Sequence, residues 1–184
     1  MFYSKRLKKE TNISHCFFNR LGGKSKGIYK SLNCGRGSKD KKKNINENLN
    51  IVSKKISNSY KKLILLNQIH SNKFFFVNDY KLKKKRLVGD ALLTNRRKLI
   101  IGVLTADCVP VLLYDKKLKI ISAIHAGWKG AYKGIIKKVV KRSLFSGPIE
   151  NSKCYLSLAN KKNDLTIKSS ENNESYTKII VVDG

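Results

Sequence analysis

Apolar residues fall along this chain in short blocks, separated by stretches rich in lysine and asparagine. The blocks differ in period. From Ile45 to Ile56, apolar residues at 45, 49, 52 and 56 recur every three or four positions and predict one amphipathic helix. In AYKGIIKKVVKRSLF, Ile135, Ile136, Val139, Val140 and Leu144 keep a helical interval and predict a second. Other blocks are short and nearly continuous, as in strands buried on both faces. These are ISHCFF at 13–18, LILLNQIH at 63–70, KFFFVND at 73–79, ISAIHAG at 121–127, CYLSLA at 154–159 and the closing IIVVDG. GDALLT at 89–94 reads as a short strand or a loop. LIIGVLTADCVPVLLYD at 99–115 is long and β-prone, and Pro110, which has no N–H for a ladder, predicts a break near Ala106 to Pro110. Strands alternating with helices place the chain in the α/β class, without fixing the strand order.

Between the blocks, residues 19–37 carry five glycines, at 22, 23, 27, 35 and 37, and read as a turn-rich candidate ligand loop. Lysine-rich 38–43 and 81–86 read as solvated turns. After Gly147 the character changes, and NKKNDLTIKSSENNESYTK is polar and weakly patterned, as in a loop, a ragged edge or disorder. The expected organisation is a core over 1–147 and a divergent, partly polar C-terminal segment over 148–184.

The 184 residues suit one domain with a sizeable core. No apolar run reaches membrane-spanning length and no secretory leader is evident, so a cytoplasmic protein without a membrane partner is expected. Cysteines at 16, 34, 108 and 154 fit neither a CxxC site nor a compact disulfide scaffold, which favours free thiols or a metal ligand. Cys16 reads as core and Cys34 as a loop residue. The formal charge of +28 attracts any polyanion. The basic residues are spread along the chain and are mostly lysine, without a recognisable nucleic-acid module, so no dedicated nucleic-acid partner is expected.

His70, Cys108 and His125 stand at the turnward ends of three blocks, with sequence separations of 38 and 17. Taken singly, each has an ordinary structural explanation. Together, two imidazoles and a thiolate can bind zinc with one position open to water or substrate. The same Cys108 and His125 can instead form a nucleophile pair, with Asp90 or Asp107 orienting the histidine. In the glycine-rich loop, Arg20 is the positive partner for an anion, and Asn33 either bonds within that site or caps the loop. The signal there is weak, since neither GxGxxG in a strand–helix setting nor a Walker loop is present. Trp128 offers a wall for a base or anchors the core; Lys129 offers a phosphate contact or is one more surface lysine.

These motifs, NRLGGKSKGIYKSLNCG, NQIH, GDALLT, TADCVPVLLYD and HAGWKG, resemble the YfiH-type family, long labelled polyphenol oxidases or laccase-domain proteins and associated with purine nucleoside phosphorylase activity. The resemblance covers most of residues 13–147. It implies a single mixed-sheet α/β domain with zinc held by His70, Cys108 and His125, which would also be the catalytic residues. It further implies inorganic phosphate as co-substrate, with Arg20 and Asn33 expected to bind it. The implied substrates are adenosine, inosine, guanosine and methylthioadenosine, with adenosine deamination as an associated reaction. A copper oxidase is less well matched, because the histidines are only three, at 15, 70 and 125. Two departures stand out. Lys129 replaces the arginine usual in HAGWRG, and the motifs expected after GPIENSKCYLSLAN are not found, so a shortened or divergent member is expected. A Cys–His hydrolase, or an inactive member with generic polyanion binding, stays open as an alternative.

Overall fold

The computed structural model describes residues 1–57, 63–78, 87–97, 99–144, 154–158 and 177–183. In chain order, the elements are β1 (Ile13–Phe18), α1 (Lys42–Ser57), β2 (Leu63–Ile64), β3 (Phe74–Phe76), β4 (Ala91–Thr94), β5 (Ile100–Thr105), β6 (Val109–Asp115), β7 (Ile120–Ala126), α2 (Trp128–Tyr132), α3 (Ile135–Leu144), β8 (Cys154–Leu158) and β9 (Thr177–Asp183). One four-stranded sheet, ordered β1-β9-β5-β2, is parallel throughout. The other, ordered β3-β4-β7-β6-β8, is mixed: β3 and β4 run parallel, and the remaining pairs are antiparallel. The chain is thus the expected α/β domain with a mixed sheet.

Alternation along the strands builds the layers. On β6, Leu112 and Tyr114 join Phe17, Ile101, Val103, Ile121 and Ala123 in a core to which both sheets contribute. Val111 and Leu113 face the opposite way and pack with Ile135 and Val139 of α3. Ile45, Leu49 and Val52 of α1 cover Cys16, Phe18 and Ile100 on the parallel sheet. Strands covered on both sides need apolar residues at every position, which is why the sequence blocks are continuous rather than alternating. Each fully buried Leu, Ile or Val contributes about 1.5–3 kcal/mol, so the stripe on α3 is what fixes that helix to the sheet.

Three local departures from the sequence pattern bear on the site. Only Leu63–Ile64 of the 63–70 block is strand. Beyond it the Gln68 side chain replaces the backbone ladder: its Nε2 donates to the Leu104 carbonyl at 2.7 Å and its Oε1 accepts the Leu104 N–H at 2.8 Å. Residues 67–70 are thereby held to β5 while free to turn. The second concerns Pro110: the expected break is present at 106–108, but Pro110 itself lies inside β6 opposite His125. His125 sends its N–H to the Asp90 carbonyl at 2.7 Å, on the far side of β7, so no ladder bond is due from Pro110 to β7. The break falls just before it, between β5 and β6. Third, the segment AYKGIIKKVVKRSLF, expected as one helix, spans parts of two, α2 and α3, separated at Gly134, whose φ of 72° lies in the left-handed region.

Strands β8 and β9 come from the segment after residue 148; β8 pairs with β6, and β9 lies between β1 and β5. The polar stretch at 159–176 lies outside the described residues. Among the described residues, no helix is long and apolar enough to cross a membrane.

Candidate metal centre

Three chain reversals meet where the strands end. His70 lies on the turn that Gln68 pins to β5. Cys108 sits in the β5–β6 turn, half-buried. His125 is the penultimate residue of β7 and is only 3% exposed. Their ligand atoms lie within 4.8 Å of one another. Cys108 Sγ is 3.6 Å from His70 Nε2, and the two imidazoles meet edge to face, with ring centroids 4.8 Å apart. A tetrahedral zinc with ordinary Zn–S and Zn–N bonds has S···N edges of about 3.6 Å. The Cys108–His70 edge is already at that length, and the three ligand atoms together could hold a metal ion.

One buried carboxylate organises the group. Asp90, just before β4, is fully buried. Its Oδ1 accepts the His70 N–H at 2.9 Å, and its Oδ2 accepts both the Ser71 N–H and the Ser71 hydroxyl at 2.6 Å. The Ile69 N–H approaches Oδ1 at 3.2 Å. His125 Nδ1 lies 2.9 Å from Oδ1. With Nδ1–H donating to the carboxylate, the Nε2 lone pair of His125 is left for a metal. Burial pushes the Asp90 carboxyl up, but bonds from Ser71, His125 and the Ser71 and His70 backbone more than reverse this, and its pKa is lowered. Asp90 therefore fixes one ligand by its ring and another by its backbone. That second hold matters because His70 occupies the left-handed region, at φ 58°, an uncommon position for a residue with a side chain.

Glycine at 127 leaves the cluster its space. A Cβ there would stand 2.6 Å from His70 Cδ2 and 3.1 Å from Cys108 Sγ. Gly130, in α2, packs against the Ser71 carbonyl, which a Cβ would meet at 2.7 Å.

Other sequence candidates lie elsewhere or behave differently. Asp107 is exposed, and Asp90 is the carboxylate that orients His125. Arg20 is exposed on the loop after β1, where its carbonyl accepts the Ser31 and Leu32 N–H groups. Asn33, on the same loop, donates to Ser38 Oγ and Asp40 Oδ2 and accepts the Gly35 N–H. Trp128 is 74% exposed, so it is not a core anchor, and Lys129 Nζ lies 5.4 Å from its ring. His15 is buried in β1 and accepts the Ser4 N–H at Nε2. Cys16 and Cys34 are buried; burial pushes both thiols up, Cys34 to about 12, so neither supplies a thiolate near neutral pH. The Cys154 side chain lies outside the described residues. Sequence reasoning missed the roles of Gln68, Ser71 and Gly127; their only signal was position, as polar or small residues flanking the block ends.

A family model described as multi-copper polyphenol oxidoreductase laccase matches residues 14–156. A Bacteroides thetaiotaomicron protein named purine nucleoside phosphorylase is 36% identical over 143 residues, covering 74% of this chain and 53% of that protein. Escherichia coli YfiH, also named a purine nucleoside phosphorylase, is 31% identical over 144 residues, covering 78% and 57%. A solved Neisseria meningitidis protein superposes with a TM-score of 0.63 at 32% identity, covering 75% of this chain and 54% of its own. Bacillus licheniformis YfiH superposes with a TM-score of 0.65 at 26% identity, covering 74% and 55%. The chain spans about half the length of the curated relatives it matches.

Proposed function

This chain belongs to the multi-copper polyphenol oxidoreductase laccase family, which includes the YfiH proteins, and we propose that it carries the zinc centre of a purine nucleoside phosphorylase. Phosphate attacks the ribose C1′ of adenosine, inosine, guanosine or methylthioadenosine. The glycosidic C–N bond breaks, and the products are the free base and a sugar 1-phosphate. The observation that carries this reading is the convergence of His70, Cys108 and His125, in a chain whose curated relatives bear that activity in their names.

His70, Cys108 and His125 would hold the zinc, which supplies a Lewis acid with a coordination position left over. Several histidine-rich copper sites are not available to a chain with three histidines, one of which, His15, is committed to Ser4 in β1. Asp90 keeps the His125 ring in one tautomer and orientation. Trp128, one residue past Gly127, presents an exposed flat face on which a purine can stack. Arg20 supplies positive charge for phosphate, with Asn33 holding the same loop in shape. Lys129 adds a compact point charge rather than the planar fork of an arginine.

Purified chain assayed for bound metal and for phosphate-dependent base release tests the proposal. Zinc-loaded, folded protein that forms neither base nor sugar phosphate rejects it. Ammonia release from adenosine, measured in the same samples, reports deamination. The 3.6 Å contact of Cys108 with His70, in place of the Cys108–His125 pair expected from the sequence, favours one second reading, a Cys–His hydrolase. Selective thiol labelling of Cys108 in metal-free, hydrolytically active protein, with loss of activity on labelling, would select it.

A further inference from the structure

A second site of a different kind lies along β1. A cavity of about 250 Å³ opens among the N-terminal segment, β1 and the last turn of α1, with Lys8, Ser14, His15 and Lys55 in its wall. That volume would hold about eight waters. His15 is buried, 4% exposed. The Ser4 N–H donates to its Nε2 at 2.8 Å, which requires a lone pair there and puts the proton of the neutral ring on Nδ1. Among the described residues, that Nδ1–H has no acceptor. As part of the cavity wall, His15 can offer that N–H to a bound acceptor. Among the described residues, no carboxylate lines the cavity, whereas two lysines do. Ile13, Ile56 and Tyr3 complete the wall with apolar surface.

We propose that this cavity binds a small organic anion, whose carboxylate or phosphate group meets Lys8, Lys55 and the His15 Nδ1–H while its apolar part rests on Ile13, Ile56 and Tyr3. Each part of the wall has a role in that pairing. The lysines supply charge, the imidazole supplies a directional donor, and the isoleucines exclude water from one side, which strengthens both. The last turn of α1 brings the partial negative charge of its carbonyl ends, so binding depends on the lysines rather than on the helix. The site is separate from the metal cluster, sharing neither residues nor ligand chemistry with it.

The test follows the imidazole signals of His15, His70 and His125 by NMR in the full chain. It is titrated with inorganic phosphate and with benzoate, each against sodium chloride at equal ionic strength. The expected result is a saturable shift at His15 with at least one anion, with His15 unmoved by chloride. Lys8→Glu and Lys55→Glu each weaken the response at least tenfold, whereas Lys137→Glu on α3 leaves it unchanged. Tighter binding of benzoate identifies a carboxylate ligand with an apolar body; response to phosphate alone identifies a phosphate ligand. A His15 signal that follows neither anion, that tracks ionic strength alone, or that responds equally in the Lys8→Glu and Lys55→Glu variants overturns the proposal.

Discussion

Replacing Asp90 with Asn changes one atom of the carboxylate and should uncouple the cluster. In the parent, the two oxygens accept from Ser71 N and Oγ at 2.6 Å and from His70 N and His125 Nδ1 at 2.9 Å. In Asp90→Asn, one oxygen becomes an NH2 group. Whichever way the amide is turned, this group faces at least one backbone N–H that has no other acceptor in the turn. Leaving one buried donor unpaired costs about 1–3 kcal/mol of stability. The effect on metal is separate: loss of the carboxylate behind a ligating histidine typically lowers affinity about 10–100-fold. Urea melts would read the first term, and zinc competition against a chromophoric chelator the second. Asp107→Asn is the control, since it removes the same charge from an exposed site beside Cys108 and should change affinity less than twofold. Folded Asp90→Asn protein that binds zinc as tightly as the parent would refute the claim that this carboxylate positions the ligands.

Gly127→Ala should also lose zinc at least tenfold, because its Cβ would lie 2.6 Å from His70 Cδ2, while φ −67° and ψ 159° suit any residue and leave the backbone unstrained. Unchanged zinc affinity in the same chelator competition would show that His70 can give way. Burial pushes His15 down from 6.5 to about 4, so the unfolded chain takes up this proton before the folded one does. Its contribution is complete above pH 6.5 and is lost as pH falls toward 4, by up to about 3 kcal/mol. The difference in urea stability between parent and His15→Gln should follow that window; a difference independent of pH would contradict it. Asn48 is fully buried and ties Lys24, Ser25, Ser31 and Asn33 together. Asn48→Ala should cost about 1–3 kcal/mol for each group left unpaired and remove amide protection from the 19–40 loop without altering zinc affinity; intact protection would show that the loop is held by other contacts.

The central strands were legible as continuous apolar blocks because β4, β5, β6 and β7 are buried along almost their whole length. Val111, Leu112 and Leu113 are all apolar since alternate residues serve different cores. Helix α1 was legible from its period, and the cluster of His70, Cys108 and His125 from their place at block ends. What the pattern lacked was direction. It could not choose between Asp90 and Asp107, because the choice depends on a turn that buries one and exposes the other. It extended β2 through His70, because nothing local shows that the Gln68 amide will take over the Leu104 ladder positions. It carried one helix through Gly134, whose left-handed φ divides two. The order of the parallel sheet was hidden for another reason. Strand β9 pairs with β1 and β5 across a long sequence separation, and no local period encodes such a partner.

X-ray absorption at the zinc edge, on protein purified with one equivalent of zinc, probes the ion and its ligands together. The expected spectrum has one sulfur at about 2.3 Å and two imidazole nitrogens at about 2.0–2.1 Å, with the sulfur shell lost in Cys108→Ser. A spectrum of oxygen and nitrogen only, unchanged by that substitution, would contradict a centre built from His70, Cys108 and His125.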